Sequence, residues 1–169
     1  MDTAIISIEE KEKNVNFLTE DKQSMQNLQY EYLDNRYENL IILGNQDKKT
    51  TYLANDTLDG RIVLKKYIQK EQADIYRRLL EVEEQHLVRI FYVAENEQQA
   101  LVIMDYVSGQ TVEQLQKAGR NFSEQEVITD TIQLLQGILA IHAKGIIHRD
   151  ISPKNVLIST DRVVKLLDF

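Results

Sequence analysis

The chain has 169 residues, 43% of them hydrophobic and 28% charged, and a formal net charge of −7. Those figures describe one globular domain of ordinary size or a small two-lobed body, and the acidic balance argues against a partner held by neutralising nucleic-acid phosphates. No cysteine occurs, which excludes disulfides, thiolate chemistry and Cys-ligated zinc.

Residues 1–34 are polar and acidic, and their scattered apolar residues (Ile5, Ile6, Ile8, Val15, Phe17, Leu18) follow neither a helical nor a strand period. An N-terminal extension is expected, with one short helix around residues 21–33 that docks weakly or not at all. Residues 1–10 carry acids where a signal peptide needs a basic flank. The longest aliphatic runs, such as Leu101-Val102-Ile103-Met104, are too short to span a bilayer. A cytoplasmic protein without a membrane partner is expected.

From Tyr37 the texture changes. Leu40-Ile41-Ile42-Leu43 reads as a buried strand ending at Gly44, and Thr50-Thr51-Tyr52-Leu53-Ala54 as a second strand. Asp59-Gly60 is a hairpin signal leading into a third strand over residues 61–67. Residues 70–84 place Ile75 and Leu79 one helical turn apart among charges, which predicts a helix. Strands follow at residues 86–93 and 101–104. Thr111 opens a short helix. Ser123 with Glu126 three residues on is a capping box for a long helix ending at Gly145. The apolar set of that helix (Val127, Ile128, Ile132, Leu134, Leu135, Ile138, Leu139, Ile141) is wide enough to bury against other helices. His86 reads as a turn or cap residue and His142 as a cation in a helix's last turn.

The stretch with chemical content is His148-Arg149-Asp150-Ile151-Ser152-Pro153-Lys154-Asn155, followed thirteen residues after Asn155 by Asp168-Phe169. Its pattern, H-R-D-I-x-x-x-N and then D-F, resembles the protein kinase family, and the resemblance covers about residues 37–169. It implies an α+β fold: a five-stranded antiparallel small lobe with one helix, over residues 35–104, a hinge at 105–109, and the start of a mainly helical lobe over 110–169. The family's fold continues beyond the D-F-G turn, whereas this sequence ends at Phe169, so an incomplete catalytic domain is expected.

The resemblance also implies roles. Asp150 orients the attacking hydroxyl, and Asn155 and Asp168 hold Mg²⁺ against the phosphates of ATP. Ile62-Val63-Leu64-Lys65 resembles the V-A-I-K strand, so Lys65 is the expected phosphate lysine, favoured over Lys66. Glu71 and Asp74 are both candidates for the helix acid that pairs with it. Gly44 begins the glycine-rich loop. Val63 and Leu157 would enclose adenine from above and below, Met104 would lie behind it, and the backbone of Asp105 and Val107 would pair with it. His148 resembles the family's structural histidine.

Two departures bear on activity. The glycine-rich loop has Gln46 and Lys49 where G-x-G-x-x-G asks for glycine, and Ser152 stands where kinases acting on serine or threonine usually carry lysine. Arg149 favours the protein kinase lineage over small-molecule phosphotransferases. The expected function is transfer of phosphate from Mg-ATP to a protein hydroxyl, with a non-catalytic, kinase-like binding module as the alternative.

Overall fold

The computed structural model describes residues 21–46 and 49–169, without the side chains at 45 and 46. The expectations for residues 1–20, for the turn at 47–48 and for the Gln46 side chain lie outside that description. A helix over residues 21–36 (α1) runs directly into strand β1, Tyr37–Gln46. β2 (Lys49–Asp56) and β3 (Ile62–Gln69) follow, joined by a turn in which Gly60 takes φ 74°. Glycine adopts that left-handed conformation without steric penalty, which is why Asp59-Gly60 reads as a hairpin. A 3-10 turn at Lys70–Gln72 leads into helix α2, Ala73–Leu79, and then come β4 (Ile90–Glu95) and β5 (Gln99–Asp105). The five strands form one antiparallel sheet in the order β1-β2-β3-β5-β4.

Alternation along β3 decides what each face of this sheet meets. Val63 shares one face with Ala54, Leu101 and Ile103, and that face is covered by Tyr30 and Leu33 of α1 together with Tyr37. Leu64 and Ile68 lie on the other face, with Tyr76 and Leu79 of α2 and with Met104. The helix at the N-terminal side is therefore firmly docked, contrary to expectation: Tyr30 and Leu33 are among the buried core residues. Arg36 at its end makes a two-point pair with buried Asp56, through Nε at 2.9 Å and Nη2 at 2.6 Å. That guanidinium holds the Asp56 carboxyl below the usual carboxylate range.

The second unit begins with β6 (Gly109–Thr111), α3 (Val112–Lys117) and α4 (Glu124–Ala143). Both helices start with complete capping boxes, Thr111 with Gln114 and Ser123 with Glu126. Gly145, at φ 66°, closes α4 by donating its N–H to His142 O at 2.8 Å. β7 (Val156–Ser159) and β8 (Val164–Leu166) complete a three-stranded sheet in the order β6-β7-β8.

The two units meet at His86 and Leu87. Leu166 N–H donates to His86 O at 2.9 Å, and His86 Nδ1–H donates to Val164 O at 3.1 Å. This pairing occupies the backbone just before β4, so the strand expected from residue 86 begins only at Ile90. One core cluster crosses the junction and includes Ile68, Tyr76, Leu87, Met104, Ile141 and Leu166. Of the apolar set expected to be buried on α4, Ile141 is in that core, with Leu134 and Ile138 packed against it. Val127, Ile128, Ile132, Leu135 and Leu139 are exposed, because no described element lies against their side of the helix. Among the described residues no helix is long and apolar enough to cross a membrane.

Candidate active site

Between the five-stranded sheet and the loops after α4 lies a cavity of about 690 Å³. Gly44, Lys49, Thr51 and Lys66 line it from the sheet, and His148, Asp150, Lys154, Asn155, Asp168 and Phe169 from the opposite side. The sequence separates these residues widely, and the fold brings them to one cleft.

The loop after α4 is fixed by its own hydrogen bonds. Arg149 takes φ 66° and Asp168 φ 55°, left-handed conformations that cost a non-glycine residue energy and persist only where the surroundings over-determine them. Those surroundings are visible. His148 Nε2–H donates to Leu167 O at 2.7 Å, and its Nδ1 accepts from Asp150 N–H at 3.3 Å. Both ring nitrogens are thus engaged in structure, and the ring packs against Phe169 with centroids 4.8 Å apart. Leu167 N–H donates to Asn155 O at 2.8 Å. The Asn155 side-chain nitrogen donates to Asp150 O at 2.8 Å and to Asp150 Oδ2 at 3.0 Å. Since the amide nitrogen makes both bonds, the amide oxygen stays available as a ligand atom.

Asp150 Oδ2 also receives Lys154 Nζ at 2.9 Å. The hydrogen bond from Lys154, aided by Asn155, holds the Asp150 carboxyl below the usual carboxylate range. Lys154, two residues beyond Ser152, thus brings a cation to the Asp150 carboxylate. Ser152 Oγ is buried without a hydrogen-bond partner.

The lysine expected in this cleft is not the one found there. Lys65 Nζ lies on the α1 face of β3, donating to Asp34 O at 2.7 Å and Tyr37 O at 2.9 Å and pairing with Asp34 Oδ1 at 2.7 Å. Lys66 Nζ lies in the cleft, 2.7 Å from Asp168 Oδ1 and 3.1 Å from the Tyr76 hydroxyl. The reason is the strand's period of two: matching the motif one residue early reverses every side chain. Val63 reverses with Lys65. It is buried under α1, and Leu64 takes the cleft side with Met104.

The helix acid is a further difference. Glu71 and Asp74 are exposed, and among the described residues neither pairs with Lys66. The α2 residue that reaches Lys66 is Tyr76, which sequence reasoning missed. The signal was present in its place on the buried 73/76/79 stripe of the helix. Burial opposes the Lys66 charge, but Tyr76 and Asp168 more than offset it, and the ammonium's pKa lies above its ordinary value.

The remaining expected residues are placed as follows. Gly44 lines the cleft, and a Cβ there would meet nothing within 4 Å, so packing makes no demand for glycine. Lys49 lines the cleft as well. Met104 is buried in the main core, with Val107 packed against it. The Asp105 amide donates to Arg89 O at 2.9 Å. Leu157 is buried on β7, on the face opposite Val156 and Ile158, which pack over Leu115.

Known proteins resemble this chain over most of its length. The protein kinase domain family model matches residues 37–169. A probable serine/threonine-protein kinase of Streptomyces coelicolor is 30% identical over 151 residues, covering 81% of this chain and 22% of the relative. The probable serine/threonine-protein kinase PknB of Lactococcus lactis is 31% identical over 145 residues, covering 79% and 23%. A crystal structure of Rad53 1–466 in complex with AMP-PNP superposes with a TM-score of 0.72 at 26% identity, covering 81% of this chain and 39% of that one. The chain thus spans under a quarter of the length of these two curated relatives.

Proposed function

From the premise that this chain belongs to the protein kinase family, we propose that it is the nucleotide-binding part of an enzyme that transfers phosphate from ATP to a protein hydroxyl, serine or threonine. The observation that carries the proposal is the convergence of Lys66, Asp150, Asn155 and Asp168 on one cleft. The proposed division is a small lobe over residues 35–104, a connector at 105–109 and the beginning of a helical lobe from 110, with α1 joined to the small lobe by its packing. ATP as donor fits a cytoplasmic protein.

Each residue has a role that its surroundings support. Lys66 contacts the α- and β-phosphates. Asp150 orients the acceptor hydroxyl; a carboxyl held ionised by Lys154 and Asn155 positions a proton donor better than it removes a proton. Lys154 places positive charge beside the site of transfer. Mg²⁺ suits the donor set: the Asn155 amide oxygen and the Asp168 carboxylate are hard oxygen ligands, and this ion takes one or two protein groups, with phosphates and water completing its shell. Bound there, the ion neutralises charge developing on the phosphates.

The test is incorporation of labelled phosphate by the full-length protein. Asp150→Asn is expected to lower the rate at least a hundredfold while leaving the fold intact, and undiminished transfer by that variant would remove Asp150 from its role.

Two observations favour the second reading, a kinase-like module that binds without catalysing. Lys66 is paired directly with Asp168, and the helix offers a phenol in place of an acid. Full-length protein that binds nucleotide yet transfers no phosphate to any protein would decide for it.

A further inference from the structure

We infer that Tyr76 is the positioning residue for Lys66, and that its hydroxyl also ties α2 to the backbone at Phe169. The inference rests on the phosphotransfer reading of the cleft and adds a residue to it. Tyr76 is 1% exposed, at the centre of the inner stripe of α2. Its oxygen accepts from Lys66 Nζ at 3.1 Å. Its O–H donates to Phe169 O, also at 3.1 Å. A hydroxyl can accept and donate at once, whereas the carboxylate implied at this place by the family resemblance could only accept. The phenol therefore joins three elements where an acid would join two: the lysine strand β3, helix α2 and the segment carrying Asp168.

The contact matters because of what else holds Lys66. Among the described residues its one charged partner is Asp168, whose side chain is 61% exposed and free to turn to other ligands. Tyr76 is buried and has no such freedom. The lysine keeps one fixed anchor whichever way the carboxylate turns. Phe169 in turn packs at a tilt against His148, which accepts from the Asp150 amide. A shift of α2 is thus felt at both Lys66 and the loop that carries Asp150.

The experiment uses the full chain labelled with ¹⁵N-lysine. In wild-type protein the Lys66 ammonium is expected to give a resolved signal with a cross-peak to the Tyr76 ring. Tyr76→Phe keeps the ring and its packing and removes only the hydroxyl. It is expected to broaden or shift that signal while the melting transition stays cooperative. It should also weaken Mg-ATP binding roughly tenfold, the size expected for a hydrogen bond to a charged group. Absence of the cross-peak in wild-type protein would overturn the inference, and this measurement stands even if the variant fails to fold. A folded Tyr76→Phe protein with an unchanged ammonium signal and unchanged Mg-ATP affinity would overturn it too. Loss of the signal in a protein that binds no nucleotide even at millimolar concentration would support the Tyr76 contact and sink the phosphotransfer reading instead.

Discussion

At the scale of single residues the cleft turns on which of two adjacent lysines enters it. Lys65 and Lys66 are both buried, and an unpaired buried ammonium is too costly to persist. Each has therefore found partners, on opposite faces of one strand. Lys65 holds the end of α1 through two carbonyls and Asp34; Lys66 holds Asp168 and Tyr76. Lys65→Met should consequently lower stability by about 1–3 kcal/mol, the cost of leaving buried acceptors without a donor. Chemical denaturation measures this, and a variant as stable as wild type would contradict the assignment. The distinction was illegible in the sequence, because both lysines suit a motif search. Choosing between them requires knowing that Asp34 waits on one face and Asp168 on the other. The catalytic-type loop was legible for the opposite reason. Asp150, Lys154 and Asn155 lie within six residues, and their mutual bonds are local.

Among the elements, α1 departs furthest from expectation. Its buried residues Tyr30 and Leu33, with Tyr37 just beyond, recur at spacings of three and four, which is a helical stripe. The scattered apolar residues upstream obscured it. The stripe covers the face of the sheet opposite the cleft, so α1 supports the strand that carries Lys66 without touching the site. Leu33→Ala is expected to cost about 3 kcal/mol, as buried leucines generally do, with the melting temperature as readout. A loss below about 0.5 kcal/mol would mean that the helix does not dock in solution. The places of the strands were readable from β-rich runs and turn residues, whereas the burial expected for Leu40, Ile41, Ile42 and Leu43 was not met, since all four are exposed. The long helix α4 was readable too, down to its Ser123 cap. Which of its apolar residues are covered was not, since that depends on neighbours rather than on period: Ile141 meets the core while Leu139 is 67% exposed.

On the scale of the whole molecule, two sheets are joined through His86, Leu87 and Leu166, and one core cluster runs across the junction. That continuity keeps β3 and the Asp150 loop facing each other across the cleft. The network is continuous from Lys66 through Asp168 and Leu167 to Asn155 and Asp150. In the function proposed above, this network receives Mg-nucleotide with Lys66 as its sheet-side contact. The most direct measurement is the shift in melting temperature of the full-length protein on adding ATP, with and without Mg²⁺, for wild type, Lys65→Met and Lys66→Met. A Mg²⁺-dependent rise is expected that Lys65→Met retains, from its lower starting point, and Lys66→Met loses. A rise kept by Lys66→Met and lost by Lys65→Met, or no rise in any of the three at millimolar ATP, would contradict that function.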